Sequence, residues 1–313
     1  MKNKVLIQTN PYFTKSRWEN CLRENYPAFV SQLDIQFVSS SKELTSLLPG
    51  ANFCFSFRLP SIDLIKHLQL LYLGISDIDY IDSNNIPKTT NIHSSKGLAG
   101  NLIAEHTLLL ALSLVRKFPI AVLNQRKKKW DQTPFFESGV RSIKEYKIGV
   151  LGLGNNGKAI AKIFKSIGCW VAGYSDNVKE KLNLNAWFSH NKLEDILTVC
   201  DIIIVALPLR KETYQLISNE QFESMGKNAS LINIARGEVV NEDALYLALK
   251  HGQINGAALD VFKKEPLANN SKLWKLPNII ITPHIAGNIH FLIEQIQKDF
   301  FILIQNKCLS KNF

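Results

Sequence analysis

The sequence predicts an α/β protein built from two parallel-sheet domains. Three observations predict it. Short apolar runs alternate with helical patterns over the first hundred residues, a second and more regular alternation starts at Tyr146, and a glycine-rich turn stands where a strand of that second series passes into a helix. Strands that alternate with helices bury both faces of a parallel sheet. A chain of 313 residues is long enough for two such domains, each with its own core.

In the first series, Val5-Leu6-Ile7, Asn52-Phe53-Cys54-Phe55 and Leu70-Leu71-Tyr72-Leu73 read as buried strands, the last running into Gly74. A long apolar helix follows over about Asn101 to Lys117. It stops near Pro119, because proline lacks an N–H and clashes with the preceding turn. Glycine, proline and polar residues between Asp131 and Arg141 read as a surface excursion.

The second series opens with a strand at Lys147 to Leu151. Ile160, Ile163, Phe164 and Ile167 then share one helical face, and Gly168 ends that helix. Further strands are expected at Trp170 to Tyr174, Asp201 to Leu207, Ser230 to Ile234, Gly256 to Val261 and Asn278 to Thr282. Asn241, followed by Glu242 and Asp243, begins a helix between two of them. Six strands in this order are what a Rossmann domain needs. Asn288 to Asn306 reads as a final helix.

Composition narrows the class. With 46% hydrophobic and 20% charged residues, the chain is globular in character. The apolar run after the N-terminal lysines spans three residues, too few for a signal peptide, and Leu108 to Val115 is too short for a membrane span. A cytoplasmic protein without membrane contact is expected. The five cysteines are odd in number, widely spaced and without a CxxC, so no metal site is expected and each reads as a small buried hydrophobe. The net charge is +10, and its densest run is Arg126-Lys127-Lys128-Lys129. That run reads as a solvated helix end, and aromatic residues do not alternate with basic ones as nucleic-acid binding would require.

Gly152-Leu153-Gly154-Asn155-Asn156-Gly157 is a GxGxxG between strand and helix, the context that gives the motif its meaning. Gly152 permits the tight turn, Gly154 lets a pyrophosphate approach the backbone, and Gly157 lets the helix pack closely. The helix N-terminus offers free N–H groups and a positive dipole end to phosphate. A nicotinamide dinucleotide is therefore expected as cofactor. At the end of the next strand, Ser175 and Asp176 stand where a carboxylate would bond the ribose of NAD, while Lys179 and Lys181 suit the extra phosphate of NADP. NAD and NADP both stay open.

Three other strands end in reactive residues: Arg236 in Asn233-Ile234-Ala235-Arg236-Gly237, Glu265 in Asp260-Val261-Phe262-Lys263-Lys264-Glu265-Pro266, and His284 in Thr282-Pro283-His284-Ile285-Ala286-Gly287. Ligands of open α/β sheets bind beyond the carboxyl ends of the strands, so all three belong to the edge that carries the glycine turn. An arginine fork pairs with a carboxylate and polarises the carbonyl beside it. A histidine exchanges a proton with a substrate oxygen, and a neighbouring glutamate orients it.

These motifs together resemble the D-isomer-specific 2-hydroxyacid dehydrogenases. Ala104-Glu105-His106-Thr107 is similar to the helix that enters the family's cofactor domain, and Pro208-Leu209 with Thr213 to a loop after one of its strands. Asn10-Pro11-x-Phe13, Trp18, Trp130 and Ser271-x-Leu273-Trp274-x-x-Pro277 look most like the glyoxylate/hydroxypyruvate reductases.

The resemblance implies two Rossmann-like or flavodoxin-like domains with the active site in the cleft between them. Residues 1–98 plus 289–313 would form the substrate domain, and 99–288 the NAD(P)-binding domain. It implies Arg236 on the substrate carboxylate, His284 as proton donor and Glu265 as its partner. It assigns cofactor contacts to the glycine turn, Ser175, Asp176, Leu207, Pro208, Thr213, Ile234, Ala235, Arg236, Asp260, His284 and Gly287. Substrate contacts fall to Gly74, Ile75 and Ser76 with Arg236 and His284. It further implies a small 2-keto or 2-hydroxy acid substrate and a homodimer built on the cofactor domain.

Three stretches depart from the family pattern. Asn156 replaces an apolar residue. Ser175 stands where NAD-type members have Asp, and Asp176 where NADP-type members have Arg. The loop Gly74 to Asp82 carries one extra residue, Asp77 among its members, and lacks a second glycine. Two alternatives follow: a formate- or phosphite-type dehydrogenase on the same scaffold, or a dinucleotide-binding regulatory protein with little turnover.

Overall fold

The computed structural model describes residues 2–75, 86–136, 140–176, 182–287 and 290–309. The chain divides into two compact units, Met1–Ala99 with Ile289–Phe313, and Gly100–Asn288.

The first unit holds a five-stranded parallel sheet in the order β2-β1-β3-β4-β5, formed by β1 (Asn3–Gln8), β2 (Leu33–Val38), β3 (Phe53–Ser56), β4 (Leu70–Leu73) and β5 (Asn91–Ser94). Its helices are α1 (Lys15–Asn25), α2 (Pro27–Val30), α3 (Ser41–Leu47), α4 (Ile62–Ile65) and the C-terminal α12 (His290–Leu309). Strand alternation sorts the core into two layers. Val5, Ile7, Phe53, Phe55, Leu70 and Tyr72 pack with Trp18 of α1 and with Phe300 and Phe301 of α12. Leu6, Cys54, Leu71 and Leu73 pack on the opposite face with Leu44, Leu48 and Ile65. The last helix is anchored on the first of these faces, where the buried Tyr72 hydroxyl donates to Asp299 Oδ2 at 2.8 Å.

The second unit holds seven parallel strands in the order β12-β11-β10-β9-β6-β7-β8. They are β6 (Lys147–Leu151), β7 (Trp170–Tyr174), β8 (Ala186–Phe188), β9 (Ile202–Val205), β10 (Ser230–Asn233), β11 (Gly256–Leu259) and β12 (Ile279–Ile281). One face packs on α5 (Gly100–Val115) and α8 (Asn155–Ser166) through Ile148, Val150, Ile204 and Ile232. The other packs on α9 (Leu193–Val199), α10 (Asn219–Ser224) and α11 (Glu242–Lys250) through Leu151, Val205, Leu231 and Leu259. Chain direction across the sheet reverses between β6 and β9, the switch point at which such sheets bind ligands.

Three strands lie outside the sequence expectation: β2, β5 and β8. Each is an edge strand with alternating or partial burial: β2 and β5 mix polar and apolar residues, and β8 is an apolar run of only three residues. Seven strands therefore stand where six were expected. Pro119 also does more than stop a helix. It lies in the first turn of α6 (Phe118–Arg126), after Lys117 turns the chain at φ 50°. The expected excursion contains the short α7 (Thr133–Phe136). Arg126 to Lys129 close α6 and are exposed.

Four cysteines are buried, Cys308 is half-buried, and none of the five is in a disulfide. Among the described residues no group of acids, histidines and cysteines has the arrangement of a metal site. No single described helix is long and apolar enough to cross a membrane.

Candidate active site

The glycine turn connects β6 to α8, and each glycine meets a distinct constraint. Gly152 has φ 96°, and a Cβ there would lie 2.8 Å from the Ala206 carbonyl oxygen, in the turn after β9. A methyl on Gly157 would overlap the Gly152 carbonyl. Gly154, the cap of α8, is exposed and faces open space. The first glycine packs on the turn after β9 and the third on the first, while the second leaves room beside the N–H groups of Asn155 and Asn156. That is the shape a pyrophosphate requires, so the residues present fit a dinucleotide.

Around this turn, Leu153 is buried in the sheet and Asn156 is half-buried. Leu207 packs partly buried after β9, and the Thr213 hydroxyl donates to the Pro208 carbonyl at 2.6 Å, closing the loop 208–213. At the end of β7, Asp176 Oδ1 accepts from the His190 backbone N–H at 3.0 Å and lies 2.6 Å from His190 Nδ1. That backbone N–H, with the imidazole, holds the Asp176 carboxyl below the usual carboxylate range.

The turn after β10 carries Arg236. Asn233, 1% exposed, braces it: its Oδ1 accepts from the Ala235 N–H at 3.1 Å and its Nδ2 donates to the Arg236 carbonyl at 3.0 Å. Ile234 and Ala235 are buried, and the Arg236 guanidinium donates to the Ala235 carbonyl at 2.7 Å. A methyl on Gly237 would overlap the backbone at Phe262 and Lys263. The Arg236 turn is thus in backbone contact with the segment leading to Glu265.

Glu265 uses both oxygens. Oε1 accepts from the Phe262 N–H at 3.0 Å, and Oε2 lies 2.7 Å from His284 Nδ1. The carboxylate thereby fixes the histidine ring and leaves Nε2 as the outward nitrogen. His284 itself sits at φ 55°, a left-handed conformation that its surroundings must hold in place.

Asp260, 1% exposed, does the holding. Its Oδ1 accepts from the Thr282 hydroxyl at 2.6 Å and the Ile285 N–H at 2.9 Å, and its Oδ2 from the Ala286 N–H at 2.9 Å. His106 Nε2 of α5 adds a contact to Thr282 Oγ1 at 3.2 Å and lies 3.5 Å from Asp260 Oδ1. Burial opposes ionisation of Asp260, yet these bonds outweigh it and hold the carboxyl below its ordinary value. Its oxygens thereby shape the loop from Thr282 to Ala286.

The structure therefore brings Arg236, Glu265 and His284 together at the edge that bears the glycine turn. Gly74 and Ile75 follow β4 in the first unit, where a Cβ on Gly74 would press on Phe55. Ser76 and the rest of the unusual loop to Asp82 lie outside the described residues, as do Lys179 and Lys181. Sequence reasoning gave no role to Asn233, His106 or His190. The first two stand inside quoted motifs, which was a usable signal; His190 carries none.

A seven-stranded parallel sheet with this glycine turn and a carboxylate-held histidine defines a nicotinamide-dependent dehydrogenase. Residues 108–286 match the family described as "D-isomer specific 2-hydroxyacid dehydrogenase, NAD binding domain", and the chain belongs to that family. A glyoxylate reductase of Thermofilum pendens is 36% identical over 235 residues, covering 72% of this chain and 68% of the relative. A glyoxylate/hydroxypyruvate reductase of Arabidopsis thaliana is 31% identical over 261 residues, covering 79% and 78%. Among solved structures, a D-isomer specific 2-hydroxyacid dehydrogenase of Xanthobacter autotrophicus, in complex with NADPH and MES, aligns with TM-score 0.77 and 26% identity over 96% of this chain and 95% of that one. The protein is an oxidoreductase that uses NAD or NADP.

Proposed function

We propose that the protein reduces a small 2-keto acid of the glyoxylate or hydroxypyruvate type to the D-2-hydroxy acid. The observation that carries this reading is the 2.7 Å contact of Glu265 with His284 beside the Arg236 turn. The names of the relatives support the substrate class.

A reduced nicotinamide dinucleotide, held at the glycine turn by the N–H groups of Asn155 and Asn156, would supply a hydride. Arg236 binds the substrate carboxylate through its fork and draws electron density from the neighbouring carbonyl. His284 Nε2 donates a proton to the carbonyl oxygen as the carbon gains the hydride, giving a hydroxyl. Glu265 compensates the imidazolium before that step and keeps the ring aimed. Asp260 and Asn233 orient the two loops. Residues 1–98 plus 289–313 serve as the substrate domain and 99–288 as the cofactor domain.

A homodimer formed on the cofactor unit accords with the exposed apolar side chains of its first helices and the stretch beyond: Leu109, Phe118, Leu123, Trp130 (93% exposed) and Phe136. A cytoplasmic setting accords with the free thiols.

The test is a panel of 2-keto acids assayed with NADH and NADPH in parallel, following loss of reduced-cofactor absorbance. Turnover of the two- and three-carbon acids is expected. Oxidation of formate or phosphite with no keto acid reduced would replace this reading. Nucleotide binding without any turnover would point to a regulatory role.

A further inference from the structure

The end of β7 presents Ser175 and Asp176, and the local geometry assigns them to opposite sides. Successive side chains of a strand alternate between faces. Tyr174 belongs to the core layer on the α9 side, with Leu193, Ile196 and Leu197. A Cβ on Gly173 would instead meet Leu153 of the glycine turn. The ladder continues past Tyr174, because the Ser175 N–H donates to the Phe188 carbonyl at 3.0 Å. Ser175 therefore shares the Gly173 side, toward the glycine turn, while Asp176, in the bend beyond the strand, is bonded to His190 on the α9 side. His190 secures this arrangement from the far edge of the sheet. Its backbone N–H and Nδ1 hold Asp176 Oδ1 at 3.0 and 2.6 Å, while its own carbonyl accepts from the Tyr174 hydroxyl at 2.8 Å.

We infer that His190 is a cofactor-specificity residue: it clamps the Asp176 carboxylate on the α9 side, leaves Ser175 to meet the ribose 2′ position, and so admits the 2′-phosphate of NADP(H). A free carboxylate at that position would accept from a 2′-hydroxyl and repel a 2′-phosphate. A serine hydroxyl donates to either. The role rests on the dehydrogenase reading above, and it belongs to a residue that acts through Asp176.

Isothermal titration of the cofactor-free enzyme with NAD+, NADP+ and 2′,5′-ADP tests it without turnover. The wild type binds NADP+ at least as tightly as NAD+. In His190→Ala the carboxylate keeps the backbone N–H but loses Nδ1, and its freer charge weakens NADP+ and 2′,5′-ADP by about tenfold relative to NAD+. Adding Asp176→Ala restores the ratio. Ser175→Asp, which leaves the clamp intact, shifts preference to NAD+ and covers the case in which His190→Ala does not fold. A ratio unchanged by both His190→Ala and Ser175→Asp overturns the inference alone. So does an Asp176→Ala enzyme that loses NAD+ tenfold and keeps NADP+, since Asp176 would then read the ribose. Failure of the wild type to bind either nucleotide overturns the dehydrogenase reading and this inference with it.

Discussion

His284 Nδ1 lies 2.7 Å from Glu265 Oε2, and the second oxygen of that carboxylate accepts the Phe262 backbone N–H. The histidine is thus aimed by a group that is itself pinned to the main chain. Glu265→Gln keeps the shape and removes the charge. It is expected to lower kcat by roughly 100-fold with little change in KM, the size typical of a disabled acid–base pair. Steady-state kinetics of the variant beside the wild type check this, and an unchanged kcat would contradict it.

Arg236 reaches its position through a turn braced by Asn233 and in contact with the Phe262 backbone. Arg236→Lys retains a positive charge but loses the planar fork. Catalytic efficiency should fall by roughly 100-fold, because a bidentate site does not accept a point charge as equivalent. Recovery of activity in the lysine variant would show that charge alone suffices.

Asp260 links pH to stability. Its carboxyl is held below the ordinary value, so the folded state binds fewer protons than the unfolded chain in that range. The stabilisation is fully present above the unfolded carboxylate value and is lost as pH falls through the lower folded value. Asp260→Asn removes this acid-dependent component, and leaving buried donors without an anionic acceptor should cost about 3 kcal/mol near neutrality. Denaturant unfolding of both proteins from neutral to acid pH measures it. A parallel pH dependence in the two would contradict the assignment.

The glycine turn separates folding from binding. Gly157→Ala places a methyl against the Gly152 carbonyl and should destabilise the fold by about 2 kcal/mol or more. Gly154→Ala meets only open space, so its melting temperature should match the wild type while nucleotide binding weakens. Thermal melts with and without nucleotide distinguish the two.

The interior of each sheet was legible in the sequence because buried parallel strands are continuous apolar runs. Lys147–Leu151, Trp170–Tyr174 and Leu70–Leu73 appear at the expected positions. The edges were not. Asn91–Ser94 mixes polar and apolar residues, and Ala186–Phe188 is apolar but only three residues long, so neither stands out from a loop. Arg236, Glu265 and His284 were legible because each follows a strand in a recognisable run. Their supports were not: His106 meets Thr282 across 176 positions of sequence, and His190 meets Asp176 across 14 with a whole edge strand between. Contacts of that kind depend on strand order and side-chain direction, which local pattern does not encode.

The central claim is that His284 delivers the proton during 2-keto acid reduction. Single-turnover reduction of glyoxylate and hydroxypyruvate, with reduced cofactor already bound, compares the wild type with His284→Ala most directly. The expected result is a chemical step slower by roughly a thousandfold with cofactor affinity nearly unchanged. Equal single-turnover rates in the two enzymes would contradict it.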